Sequence, residues 1–188
     1  MTDGRKLNVL AISGSLRKAS FNTAALRAAQ ELAPPDVTIA IFDLAAIPIY
    51  NEDVKAVRFP APVQELRQRI AAADALLFST PEYNYSMSGV LKNAIDWASR
   101  PPDQPFNNKP VAIMGASAGA TGTARAQYHL RQIGIFLDLH FVNKPEVMIG
   151  GAAAKFNAEG KLTDETTRGF VRDLVASLAA WTRRLQPG

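Results

Sequence analysis

The chain has 188 residues, 47% hydrophobic and 20% charged, ordinary proportions for a soluble globular protein able to bury its own core. It has no cysteine, which excludes disulfides, thiolate nucleophiles and Cys-based metal sites, and the spacing of its two histidines, His129 and His140, matches no common zinc motif. The net charge of +4 and pI of about 9.5 favour anionic ligands, but the scattered Lys and Arg residues argue against a nucleic-acid surface.

The apolar run from Leu7 to Ser13 is near-continuous, as in a parallel strand covered on both faces. Phe21, Ala25, Ala28, Ala29 and Leu32 then recur at helical spacing until Pro34-Pro35 stop the helix. Val37 to Asp43 is the second strand, followed by a long loop over residues 44–62. Val63, Leu66, Ile70 and Ala73 mark the next helix, and Ala75 to Thr80 the third strand. After the loop "PEYNYSMS", residues 89–99 form a helix with Leu91, Ala94, Ile95 and Ala98 inward. Pro110 to Ser117 is the fourth strand. A Gly-rich turn leads to a helix over residues 122–133, and the fifth strand lies in 137–149, broken near Lys144-Pro145. The last helix starts after Thr163 and stacks Phe170, Leu174, Leu178, Trp181 and Leu185 on one face. Strands alternating with helices give an α/β chain with a parallel sheet, read as one domain over residues 1–188. No apolar stretch is long enough to span a membrane. Residues 1–10 lack the pattern of a signal peptide, so the expected location is the cytoplasm.

Ligands of such sheets bind beyond the carboxyl ends of the strands. The loops after strands one, three and four are the polar, Gly-bearing ones: "GSLRKASFN", "PEYNYSMSG" and "GASAGATGT". In the first, Ser20 is placed to cap a helix whose N-terminus suits a phosphate. Ser15, Asn22 and Thr23 add neutral donors and Arg17 a cationic fork. Neither a nucleotide-triphosphate loop nor G-x-G-x-x-G fits, because Ala19 and Leu16 stand where those motifs need Gly. The alternative for this loop is a capped turn with solvated charges. Tyr83 and Tyr85 place two aromatics on the second loop, suited to a flat ring system or to covering the core or a subunit contact. Ser88 is placed to cap the following helix and Gly89 to allow close backbone approach. The small residues from Ser117 to Thr123 let a ligand lie against the backbone, or form a flexible turn.

These stretches together resemble the NADPH-dependent FMN reductase family, in its branch of flavodoxin-like quinone and chromate reductases. "ISGSLRKASFN" is similar to that family's phosphate loop, and "PEYNYS" with "LKNAIDW" to its flavin-ring loop and the helix after it. The match at "GASAGATGTARAQ" is looser: Thr123 follows Gly122 where the family often has a second Gly, and Ser88 replaces a usual Pro. The resemblance implies a flavodoxin-like three-layer sandwich with a five-stranded parallel sheet of order 2-1-3-4-5. It implies FMN, its phosphate held by Ser15, Arg17, Ser20, Asn22 and Thr23. Pro81, Glu82, Tyr83, Asn84 and Tyr85 then border the ring and ribityl chain, with Ser117 and Gly119 as the far wall.

The implied reaction is ping-pong transfer of two electrons from NADPH or NADH to quinones, with azo and nitro compounds and chromate as further acceptors. The flavin carries the chemistry, and Tyr85 and Arg100 are candidate substrate contacts. A dimer of dimers is expected, with contacts through Tyr85, Arg125, Tyr128 and Glu146. The rivals are an electron carrier like flavodoxin, which binds FMN without turning over a substrate, and a flavin-free interaction module on the same fold.

Overall fold

A computed structural model describes residues 5–186. Met1–Gly4, part of the segment read for a signal peptide, lie outside the described residues. In chain order come β1 (Leu7–Ser13), α1 (Phe21–Leu32), β2 (Val37–Phe42), α2 (Glu52–Val57), α3 (Ala61–Ala72) and β3 (Ala75–Ser79). They are followed by β4 (Glu82–Tyr83), β5 (Ser86–Met87), α4 (Gly89–Ala98), β6 (Pro110–Ala116) and α5 (Ala124–Phe136). β7 (His140–Phe141), β8 (Val147–Ile149), a short 3-10 turn at Ala152–Ala154 and α6 (Glu165–Leu185) complete the order.

The main sheet runs β2-β1-β3-β6, with β7 and β8 following one another along the outer side of β6. Every pairing in it is parallel. This is the expected order, with the last strand interrupted: β7 pairs with Pro110 and Val111, β8 with Met114 to Ala116. The break falls at Lys144-Pro145, where proline has no N–H to give a ladder.

Alternation along β1 explains its unbroken apolar run. Leu7, Val9 and Ala11 face α1 and α6, while Leu10 and Ile12 face α3, α4 and α5. Both faces are therefore dry, and each Leu, Val or Ile side chain among them contributes roughly 1.5–3 kcal/mol of burial.

Four local expectations change. The loop after β2 contains α2, capped by Asn51, whose side chain accepts from the Asp53 N–H at 2.9 Å. None of its residues is buried, so no apolar period announced it. The loop after β3 contains the two-stranded β4–β5 hairpin. The buried stripe of α6 is Val171, Leu174, Val175, Leu178, Ala179 and Thr182. Phe170 stands about 100° round the helix from Val171 and is 51% exposed. Finally, a side chain at Gly89 would meet nothing, and the close approach occurs at Gly14 instead. A Cβ at Gly14 would lie 2.9 Å from Ser88 Oγ and 3.0 Å from Pro81 Cδ.

Candidate functional site: a cleft at the carboxyl edge of the sheet

The carboxyl ends of β1, β3 and β6 open into a cleft of about 290 Å³. Ser15, Arg17, Ser20 and Phe21 form one end, Pro81, Glu82 and Tyr83 the other, and Ala116 to Ala118 the back.

The first end is the mouth of α1. Ser20 is the N-cap, and its hydroxyl accepts from the Thr23 N–H at 3.3 Å. A helix leaves its first amides without intrahelical partners, so those of Phe21 and Asn22 stand at the cleft with the positive end of the helix dipole. Arg17 is exposed, donates to the Ala19 carbonyl and lies with its guanidinium carbon 5.2 Å from the centre of the Phe21 ring. Ser15 Oγ accepts from the Arg17 N–H at 3.4 Å. Donors and positive charge dominate, which is the chemistry of a phosphate cradle.

Asn22 forms the floor of this end. It is 3% exposed, and both the nitrogen and the oxygen of its amide are engaged. Nδ2 donates to the Ala116 carbonyl at 2.9 Å, while Oδ1 accepts from the Ala116 N–H at 2.9 Å and from Ser79 Oγ at 3.0 Å. The side chain pairs with β6 as a neighbouring strand would, just where β3 has ended. Its backbone N–H remains for a ligand.

The opposite end is the hairpin. Asn84 and Tyr85 have φ of 49° and 67°, the left-handed pair that a two-residue hairpin turn of matching twist requires. Asn tolerates this region, but a bulky Tyr is strained there. The hairpin is held from outside by α5. The Glu82 carboxylate accepts from the Arg125 and Ala126 N–H groups at 3.0 and 3.2 Å and from Arg125 Nε at 2.5 Å. It thereby caps α5, whose own N-cap, Thr123, makes no side-chain cap bond. The Arg125 guanidinium carbon also lies 3.8 Å from the centre of the Tyr85 ring. His129 Nδ1 and Ser86 Oγ, 3.0 Å apart, close the contact.

The two ends are tied directly. Ser88 Oγ donates to the Gly14 carbonyl at 2.6 Å and accepts from the Leu91 N–H at 3.2 Å, so the expected cap of α4 also locks the first loop against the second. This serine does by hydrogen bonding what a proline does by fixing the backbone.

The sequence of residues 7–154 matches the family described as NADPH-dependent FMN reductase. The chain belongs to that family. It is 59% identical to an NAD(P)H-dependent FMN reductase of Pseudomonas aeruginosa, over 96% of this chain and 97% of that protein. It is 48% identical to an NADPH:quinone oxidoreductase of Arabidopsis thaliana, over 96% and 94% of the two chains. Among solved structures, the flavoenzyme NAD(P)H:(acceptor) oxidoreductase FerB of Paracoccus denitrificans superposes with a TM-score of 0.86 at 36% identity. That match covers 95% of this chain and 98% of FerB. The fold is thus flavodoxin-like.

In this FMN reductase-family chain, Ser15, Arg17, Ser20, Asn22, Pro81, Glu82, Tyr83 and Ser117 all line the cleft. Thr23 does not: its hydroxyl donates to Ser13 Oγ at 2.9 Å, and it lines a neighbouring cavity. Asn84 and Tyr85 sit at the hairpin tip, outside the cleft lining, with Tyr85 66% exposed. Gly119 is also outside the lining, and its N–H donates to Ser117 Oγ at 3.2 Å. Arg100 lies at the far end of α4, about 15 Å of helix from the cleft, with its guanidinium on the Asp96 carbonyl and Ser99 Oγ. Tyr128 donates to Glu146 Oε1 at 3.2 Å within the chain, beside half-buried Arg131. Burial lowers the Arg131 pKa, and Glu146 and Tyr128 partly offset this. Phe21 and Ala116 also line the cleft, although the sequence places them only in a helix and a strand; Ala118 falls within the small-residue run from Ser117 to Thr123. No helix among the described residues is long and apolar enough to cross a membrane.

Proposed function

We propose that this chain is an FMN-dependent NAD(P)H:quinone oxidoreductase. The observation that carries the reading is the polarity of the cleft: unpaired helix amides and Arg17 at one end, an aromatic-tipped hairpin at the other. A phosphate monoester joined to a flat ring matches that division.

The residues present fit FMN. Ser15, Arg17, Ser20 and the Phe21 and Asn22 amides hold the phosphate. Pro81 to Tyr83 border the ring, and the small residues Ala116 to Ala118 let it lie against backbone. When bound, FMN supplies two-electron transfer from nicotinamide to quinone. The protein's part is to orient both substrates. Tyr83, 57% exposed in the cleft lining, and Tyr85, 66% exposed at the hairpin tip, offer flat surfaces to planar substrates. The Arg125 stack and the Glu82 contacts keep that platform in place. No acid or base from the chain is required, because a reduced acceptor takes protons from water. With one open face, donor and acceptor occupy the same space in turn. Azo and nitro compounds and chromate enter the same face as opportunistic acceptors.

The working form is a dimer of dimers. Tyr85 and Tyr128, 66% and 52% exposed, flank Arg125 and Glu146 on one polar, aromatic surface suited to a subunit contact. The cytoplasm, where reduced nicotinamides are made, is the compartment for this reaction.

Initial rates at varied quinone and fixed NAD(P)H concentrations test the reading. Parallel reciprocal plots are expected. Intersecting plots refute the shared face, and negligible turnover with quinone leaves an electron carrier.

A further inference from the structure

A second cavity, of about 510 Å³, lies on the other side of the first loop, between α1 and the end of β2. It shares Ser15 and Arg17 with the flavin cleft, so the two adjoin across that loop. Three cations, Arg17, Lys18 and Arg27, face one carboxylate, Asp43. Lys18, Arg27 and Asp43 are exposed, and among the described residues the ion pairs involve none of these four. With Arg17 turned to the flavin cleft, Lys18 and Arg27 still outnumber Asp43, a positive charge that no ion pair among the described residues consumes. Beside the polar Ser13, Ser15, Thr23 and Gln30, its lining includes an apolar patch with Leu16, 50% exposed, and half-buried Ile41. Asp43 Oδ1 accepts from the Ala45 N–H at 2.9 Å, which holds the carboxylate in a turn and leaves Oδ2 for a hydroxyl.

An apolar patch, a hydroxyl acceptor and surplus cations together describe a site for a nucleoside bearing a phosphate. We infer that this cavity holds the adenosine 2′-phosphate end of NADPH and sets a preference for NADPH over NADH. The inference rests on the proposed reductase activity, which requires a nicotinamide in the flavin cleft. From β3 to β2 across β1 is only about 10 Å, a span that one dinucleotide bridges over the first loop. Leu16 and Ile41 pack on the base, Asp43 accepts from the ribose 3′-hydroxyl, and Lys18 and Arg27 bind the 2′-phosphate. A lone carboxylate at the end of the second strand favours an unmodified ribose. Here the neighbouring cations outnumber it.

Lys18 and Arg27 take no part in the flavin cleft, so Arg27→Glu and the pair Lys18→Ala with Arg27→Ala isolate the effect. Either change lowers kcat/KM for NADPH by about tenfold to a hundredfold, the worth of charge-assisted contacts, and leaves that for NADH within about twofold. Flavin absorption and melting temperature stay unchanged. Calorimetry with 2′,5′-ADP, 5′-AMP and inorganic phosphate supplies a readout independent of turnover. Wild type binds 2′,5′-ADP well above the other two, and Arg27→Glu removes that binding. Equal binding of 2′,5′-ADP and 5′-AMP, phosphate competing as well as 2′,5′-ADP, or an unaltered NADPH-to-NADH ratio in both variants overturns the assignment. If 2′,5′-ADP binds and Arg27→Glu abolishes it while no nicotinamide is oxidised, the reductase reading fails and the nucleotide site stands.

Discussion

Replacing Asn22 by Ala removes one side chain and disconnects three elements. The amide joins α1 to both Ala116 backbone groups and to the Ser79 hydroxyl, all within 3.0 Å and all buried. Three hydrogen bonds at roughly 0.5–1.5 kcal/mol each are lost, and the Ala116 N–H and carbonyl lose their partner on that side. Water from the cleft repays part of this, so the expected cost is about 3 kcal/mol. For a chain of this length each kcal/mol moves the melting temperature by roughly 2–4 °C, giving a fall of about 6–12 °C. Thermal and urea unfolding of FMN-free protein are the assays, because bound ligand would mask the loss. FMN affinity falls as well, since Ala116 and Ser117 are no longer held. A flavin-free variant within about 0.5 kcal/mol of wild type refutes the claim that this amide stitches the loop to the sheet.

Arg17→Ala is expected to weaken FMN binding by roughly 1.5–3 kcal/mol, about 10- to 150-fold, in a fluorescence titration; unchanged affinity removes Arg17 from the site. Glu82→Gln leaves α5 without its anionic cap and Arg125 without its partner, so the melting temperature should drop by several degrees while the flavin still binds. An unshifted melting curve contradicts that role. Light scattering tests the assembly: Tyr128→Ala and Glu146→Ala should move tetramers toward dimers with the FMN spectrum retained. A 20.3 kDa monomer with full quinone reductase activity refutes the oligomer.

The fold was legible because the strands are buried on both faces and the helices are amphipathic, so apolar runs and helical periods stand out in the sequence. Leu7 to Ser13 and Phe21 to Leu32 have the observed boundaries for that reason. The short elements had no such signal: α2 buries nothing, and the β4–β5 hairpin turns through Asn-Tyr rather than the usual Asn-Gly. Phe170 misled because its character is apolar while its phase on α6 is wrong. At the site, residue types announced a donor-rich helix mouth capped by Ser20. They did not announce that Asn22 spends its amide on the strand ends, that Thr23 turns to Ser13, or that Glu82 caps a helix forty residues on. Those are tertiary pairings, set by which strand ends the topology brings together.

The central claim is that one cleft binds FMN and lets it pass electrons from a nicotinamide to a quinone. Anaerobic spectrophotometry of the FMN-loaded protein tests it directly. One equivalent of NADPH should bleach the visible flavin bands, and one equivalent of quinone, added after the oxidised nicotinamide is removed, should restore them fully. A protein that stays colourless with excess FMN, or whose bleached flavin is not reoxidised by quinone, contradicts the account.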